Sequence, residues 1–432
     1  MSVIQKNNKK LIRSWAMFDW ANSAYNLVIT STIFPVYYTT ITNTKEHGDV
    51  VRFFGAEFVN TALSNFALAV AYLVMALTLP FISSYADANG KKKQIMKFFT
   101  TAGAIACMGL FFFKLETLEI GIICFVIAAM GYIGGVLFNN SYLPLIASVD
   151  QQDKVSAQGF SYGYVGCVTL QILCFIVVLK PEWFGISDPS LPARISFLMV
   201  GLWWLGFSLI PFKYLPNIPA TRKGEGLSLV EKVKAEISSV WGHIQQIPEI
   251  KKFLPAFFFY SIGVQTLMIV ASSFGEKVLH LGATKLIGTI LLIQLVAIAG
   301  AFIMSAISAR IGNVKVLMLV VVIWISICIS AYFLTTEIQF YILAALVGLV
   351  MGGIQSLSRS TFSKLIPEDI QDTTAFFSFY DVTEKIAIVV GLFSFAMIEQ
   401  ITHNIRYSAL SLSLFFIIGL LLLIRLLRYN KS

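Results

Sequence analysis

The chain has 432 residues, of which 57% are hydrophobic and only 13% charged, with a formal net charge of +9. Soluble globular proteins carry roughly 45–50% apolar and about 25% charged residues, so this composition excludes a soluble enzyme and points into the bilayer. Its apolar runs are continuous rather than alternating, which excludes a transmembrane barrel and leaves helices of about 20 residues each as the spanning element.

Read from the start, "MSVIQKNNKK" is basic and precedes an apolar run, as a secretory leader would. The run is too long for one, holds Asp19 and lacks a small-residue cleavage pattern, so it reads as a retained first helix. Apolar runs and their breakers predict twelve spans: 14–40, 56–83, 94–113, 119–141, 157–179 and 194–214, then, after a polar linker, 252–276, 284–308, 314–335, 338–358, 374–398 and 405–427. An even number puts both termini on one side. Most of the 32 Lys and Arg residues fall in the loops of that side, which the positive-inside rule makes cytoplasmic. The basic balance is therefore a topology signal, and nucleic acid is not an expected partner.

The first span, "SWAMFDWANSAYNLVITSTIFP", carries Asp19, Asn22, Tyr25 and Asn26. A carboxylate inside a span costs about 2.5–3.5 kcal/mol on insertion scales, so Asp19 should face protein or water. Asp19, Asn22, Asn26 and Thr30 recur at helical spacing as a polar stripe, with Trp15 and Trp20 expected as interfacial anchors. Two readings of Asp19 stay open: it binds a proton or a cationic group of the substrate, or it fastens the first helix to its neighbours.

After the second span the chain reads "SSYADANGKKK", Ser83 to Lys93, and after the eighth "SAISARIGNVK", Ser305 to Lys315, 222 positions later. The match of small residue, glycine and lysine at equal spacing marks an internal repeat of six spans per half. In the first copy Asp87, Gly90 and Lys91 form a candidate gate, a carboxylate that is paired in one state and released in the other. Arg310 and Gly312 hold the matching places in the second copy, where Ala309 replaces the aspartate.

The linker, 215–250, contains a Ser228/Glu231 capping box followed by Val230, Val233, Ile237, Val240, Trp241, Ile244 and Ile247 at helical spacing. An amphipathic helix along the inner membrane surface is expected there. In the seventh span Gln265 is a weaker polar candidate, as are Asn139 and Asn140 at the end of the fourth. The tenth span has glycines at 348, 352 and 353 for close helix approach, then Gln355 and Arg359. Arg359 either clamps a substrate carboxylate or pairs across helices with Asp87 or Glu384. The eleventh span holds Asp381, Glu384 and Lys385, in which Asp381 and Lys385 can pair at i, i+4 while the cluster keeps one net negative charge. Such a cluster suits a proton-coupled carrier or a structural ion pair.

The four histidines have no metal or catalytic spacing, the five cysteines sit in apolar runs, and no GxxxxGK[ST] motif is present. No enzyme activity and no cofactor are expected, and ATP is not the evident energy source.

"SSYADANGKKK" resembles the signature loop between the second and third helices of the major facilitator superfamily, with Ser83 and Ala88 as departures. "DWANSAY" (Asp19 to Tyr25), "GGIQSLSRSTFSKLIPE" (Gly352 to Glu368) and "FFSFYDVTEK" (Phe376 to Lys385) resemble the branch of autophagy-related vacuolar amino-acid effluxers and their bacterial relatives. The resemblance implies an all-α membrane fold of two pseudo-symmetric six-helix bundles, 1–214 and 251–432, joined by the linker. It further implies alternating access with the first, fourth, seventh and tenth helices as walls, and an amino acid or related metabolite leaving the cytoplasm. The expected partners are a small-molecule substrate, the lipid bilayer and protons, with the chain acting as a monomer. A second reading is a receptor or assembly platform that keeps the carrier fold without transport, docking through the linker helix.

Overall fold

A computed structural model describes residues 5–43, 48, 50–220, 238, 240–368, 370 and 372–429. The first span is one helix in three parts: α1 (Lys9–Ala24), a π-helical stretch (Tyr25–Thr32) and α2 (Ile33–Thr42). Asn8 caps α1, its side chain accepting from the backbone N–H of Lys10 and Leu11. The π turn has a local cause. Pro35 has no N–H to give to the carbonyl four residues earlier and crowds it, while the hydroxyls of Ser31 and Thr32 donate to the carbonyls of Asn26 and Leu27, five residues back. At the far end Tyr37 and Tyr38 pin α2 by donating to the carbonyls of Phe113 and Asn60.

A hairpin then follows, β1 (Val50–Phe53) against β2 (Ala56–Val59), turning through Phe54 and Gly55, both at positive φ. It corrects the expected start of the second span: residues 56–59 pair as a strand, and α3 (Asn60–Ala88) begins only afterwards. The first half continues with α4 (Lys92–Gly109), α5 (Leu118–Asn140), the single turn α6 (Leu143–Ile146), α7 (Gln152–Leu179) and α8 (Leu191–Tyr214). The second half comprises α9 (Pro248–Leu279), α10 (Ala283–Ile311), α11 (Asn313–Tyr332), α12 (Glu337–Leu365), α13 (Thr373–Thr402) and α14 (Ile405–Tyr429).

Among the described residues, ten helices are long and apolar enough to cross a membrane by length and composition. The interrupted first helix and α13, which carry Asp19 and Asp381, bring the long helical elements to twelve. Chain direction alternates, so α1 starts and α14 finishes at one end of the molecule, called here the terminal face. The last turn of α3, the starts of α4, α7, α11 and α13, and the end of α12 lie there too.

The apolar core is divided. One cluster is built from residues 240–426 with Tyr164, and two others lie within 12–218. Close approach of α10 and α12 depends on Gly352, where a Cβ would collide with the carbonyl of Ala297.

The predicted capping box of Ser228 and Glu231, with Val230, Val233 and Ile237, lies outside the described residues. The helical turns at 240–246 bury Val240 and Ile244 in the core of the second half, and His243 stacks on Phe376 of α13. Val240 and Ile244 thus face protein, while Trp241 is 52% exposed.

Candidate functional site

Arg359, near the end of α12, is the centre of the seam between the halves and only 2% exposed. Every polar partner of its guanidinium described here belongs to the other half. One terminal nitrogen donates to Asp19 Oδ2 at 3.1 Å and to Asn140 Oδ1 at 3.0 Å; Nε donates to Ser156 Oγ at 2.9 Å, and the second terminal nitrogen to the Ser156 carbonyl at 2.7 Å. Its flat face packs on Phe160 and Trp15, 4.1 and 4.8 Å from their ring centroids. Asn139 donates to Asp19 Oδ1 at 3.2 Å, and the indole of Trp15 donates to the Asn139 carbonyl at 2.7 Å. Ser156 returns a bond across the seam, to the Ser356 carbonyl at 2.7 Å. Gly159 makes the crossing possible, since a Cβ there would stand 2.5 Å from Asp19 Oδ2 and 2.7 Å from Arg359.

A second group flanks this centre. Asp87, in the last turn of α3, accepts from the backbone N–H of Thr374 and Ala375, both at 3.0 Å, and from the Thr374 hydroxyl at 2.6 Å. A carboxylate from one half thus caps the first turn of α13 in the other, where exposed N–H groups and the helix dipole favour negative charge. Lys92 is wholly buried beside it, 3.7 Å from Asp87 Oδ1, and donates to the Thr373 hydroxyl at 2.6 Å. Thr373 in turn donates to the Ser141 carbonyl at 2.8 Å.

On the opposite flank Asp153, in the first turn of α7, meets three donors of the second half: Lys364 Nζ at 2.5 Å, Asn313 Nδ2 at 2.6 Å and the Ser308 hydroxyl at 3.2 Å. All three groups sit at the terminal face, so that face is closed in this conformation.

Deeper in the seam is a charged cluster on α13. Lys385 Nζ lies 2.8 Å from Glu384 Oε2 and 3.4 Å from Asp381 Oδ1, while Gln265 of α9 donates to Glu384 Oε1 at 2.7 Å. Lys385 also stands 5.9 Å from the ring centroid of Tyr72, which α3 contributes from the other half. Asp381 and Lys385 are buried, and Glu384 is the most exposed of the three, at 22% of its side chain. A second bridge at similar depth joins Tyr164 of α7 to Gln355 of α12, the phenol donating to Oε1 at 2.7 Å.

Several expectations need correction. Arg359 pairs with Asp19, and neither Asp87 nor Glu384 takes that place. The aspartate therefore meets an arginine rather than an open passage. Trp15 is fully buried against that ion pair instead of anchoring at the interface, while Trp20 stacks on Trp203 within the first half. The stripe from Asp19 to Thr30 does not hold one face. The π turn breaks its spacing, Asn22 is buried toward Gly135 of α5, and Asn26 is half-buried. Tyr25 packs on Tyr132 and Trp204 inside its own bundle. Lys91 bonds the hydroxyl of Tyr85 in its own half, and the gate lysine is its neighbour Lys92. Arg310, a gate candidate from the repeat, is exposed, and the cross-seam bonds of this loop come from Asn313 and Ser308. Gly90 and Gly312 adopt positive φ, as tight turns require. Sequence reasoning missed Asp153, Ser156, Gly159 and Lys364. Asp153 and Lys364 could have been noticed as charges at predicted helix ends facing the repeat loops.

Solved structures share this architecture. The human organic anion transporter MFSD10 (TETRAN) superposes with a TM-score of 0.74 over 97% of this chain and 100% of its own, at 10% identity. FucP of E. coli, in the outward conformation, gives 0.72 over 96% and 98% at 12% identity. Twelve helices in two bundles give the chain the fold of the major facilitator superfamily. Within that superfamily the chain belongs to the family described as "Vacuole effluxer Atg22 like", whose profile matches residues 7–432. It is 30% identical over 422 residues to the uncharacterized MFS-type transporter YxiO of Bacillus subtilis, covering 97% of this chain and 95% of that one. Autophagy-related protein 22 of Saccharomyces cerevisiae is 25% identical over 480 residues, covering 93% and 89%.

Proposed function

We propose that the chain is a secondary carrier exporting an amino acid or a related small metabolite from the cytoplasm by alternating access, driven by a proton gradient. Residues 1–214 and 251–432 are the two moving halves, and the terminal face is the cytoplasmic one. The observation that carries this reading is the cluster of Asp381, Glu384 and Lys385 with Gln265, set in the seam next to Tyr72 of the other half and beneath a face held shut by ion pairs. A charge cluster inside a membrane is costly and marks an ion or substrate path. Its net negative charge suits a substrate ammonium group, and Glu384, the most accessible member, is the proton-exchanging group. Asp19, held by Arg359, works in the gate instead. Efflux is favoured by the family's description as an effluxer.

Purified protein in liposomes tests this directly. An imposed pH gradient should drive accumulation of at least one labelled amino acid, and Glu384→Gln should abolish the gradient-driven part while exchange of substrate for substrate persists. Full gradient-driven transport by Glu384→Gln would exclude the proton role assigned here.

A further inference from the structure

The gate contains an exchange between the two halves that the repeat makes visible. With the 222-residue offset, the loop position Asp87 corresponds to Ala309, and the helix position Ala375, whose N–H Asp87 binds, corresponds to Asp153. In one flank the loop carries the carboxylate and the first turn of the facing helix carries alanine. In the other the loop carries alanine and the first turn of the facing helix carries the carboxylate. The cation moves as well: Lys92 lies 5.5 Å over the ring of Tyr142, and the positions 222 residues later are Val314 and Lys364. Lys364 stands where the repeat places the tyrosine, and it bonds Asp153.

We infer that Asp153 is the aspartate of a second latch, transposed from position 309 to the opposite half, and that it positions α7 against α10, α11 and α12 in the closed state. This rests on the alternating-access reading above. Both arrangements keep a carboxylate at the first turn of a helix, α13 or α7, so the favourable interaction with the helix dipole is retained while the donors change sides. Asp153 is 6% exposed and its partners Ser308, Asn313 and Lys364 all come from the second half. None of these bonds survives separation of the halves, so they stabilise the closed state and contribute nothing to the fold of either bundle alone. The apparent loss of the signature aspartate in the second repeat is therefore compensated across the seam.

The test uses Ser356→Cys as a reporter, a fully buried position whose carbonyl accepts from Ser156 across the seam. Full-length protein in vesicles is treated with a membrane-impermeant maleimide from the terminal side, with protein lacking the reporter as control. In this background Asp153→Ala should raise labelling several-fold while the protein still melts in one cooperative transition, and adding Ala309→Asp should bring labelling back toward the parent. Unchanged labelling in Asp153→Ala overturns the inference, as does raised labelling that Ala309→Asp fails to reduce, or raised labelling from protein that no longer melts cooperatively. Asp87→Ala separates this from the broader reading. If Asp87→Ala raises labelling and Asp153→Ala does not, only the second latch fails; if neither does, alternating access through this face fails with it.

Discussion

Replacing Asp19 with asparagine should open the terminal face, and the size of the effect follows from the bonds around Arg359. The substitution keeps the shape and one acceptor oxygen but removes the charge opposite the guanidinium. Arg359 keeps its bonds to Asn140 and to both oxygens of Ser156, so it is weakened and not abandoned. The loss is then that of one hydrogen bond between charged groups, about 1.5–3 kcal/mol, with little discount because both side chains are buried. Asp19 and Arg359 lie in different halves, so this free energy is lost from the closed state and not from the fold. At about 1.4 kcal/mol per factor of ten, the ratio of closed to open molecules should fall by roughly 10- to 150-fold. Spin labels at the exposed positions Lys154 and Lys315, on either side of the seam, report the distance between the halves. The parent should show a dominant short distance, and Asp19→Asn a longer one that becomes populated. An unchanged distance distribution would refute the assignment of this pair to the gate.

Two glycines give predictions on stability. Gly90→Ala forces a side chain into the left-handed region, at about 1–2 kcal/mol, and places a Cβ 2.7 Å from the Ala220 nitrogen; its melting temperature should fall, and an unchanged value would show that the loop relaxes freely. Gly352→Val should cost about 1–3 kcal/mol by overpacking α12 on α10, whereas Gly206→Val, with open space around it, should leave the melting temperature unaltered; equal effects at the two sites would contradict the close approach described here.

The twelve helices were legible because lipid demands long apolar runs, and the breakers between them are strong. Asp87 was legible because a repeat gave it a context. The i, i+4 pairing of Asp381 with Lys385 follows from helix geometry alone and appears at 3.4 Å. Partners between helices are another matter. Helical spacing tells which side chains share a face, but not how two bundles are rotated against each other, so Arg359 could not be matched to Asp19, 340 positions away. Gly159 is informative only once the ion pair crossing it is known. Asp153 looks like any acidic residue in a first turn until the loop opposite it is in place. The strand at 56–59 was absorbed into a predicted span because its apolar residues, Phe58 and Val59, read as helix entry.

The π turn between Tyr25 and Thr32 sets the angular phase of the first helix. An α-helix advances about 100° per residue, and a π stretch takes in an extra residue without completing further rotation. Tyr37 and Tyr38 clamp one end through their bonds to Phe113 and Asn60, so the azimuth of Asp19 at the other end is fixed by how many residues the wide turn holds. Winding the same residues into a uniform α-helix would swing the carboxylate by roughly 100° around the axis, away from Arg359, whereas deleting one of them would restore uniform pitch with the phase kept. The first helix thus behaves as a screw whose thread has been shifted by one residue, and the meeting of the two halves depends on that shift.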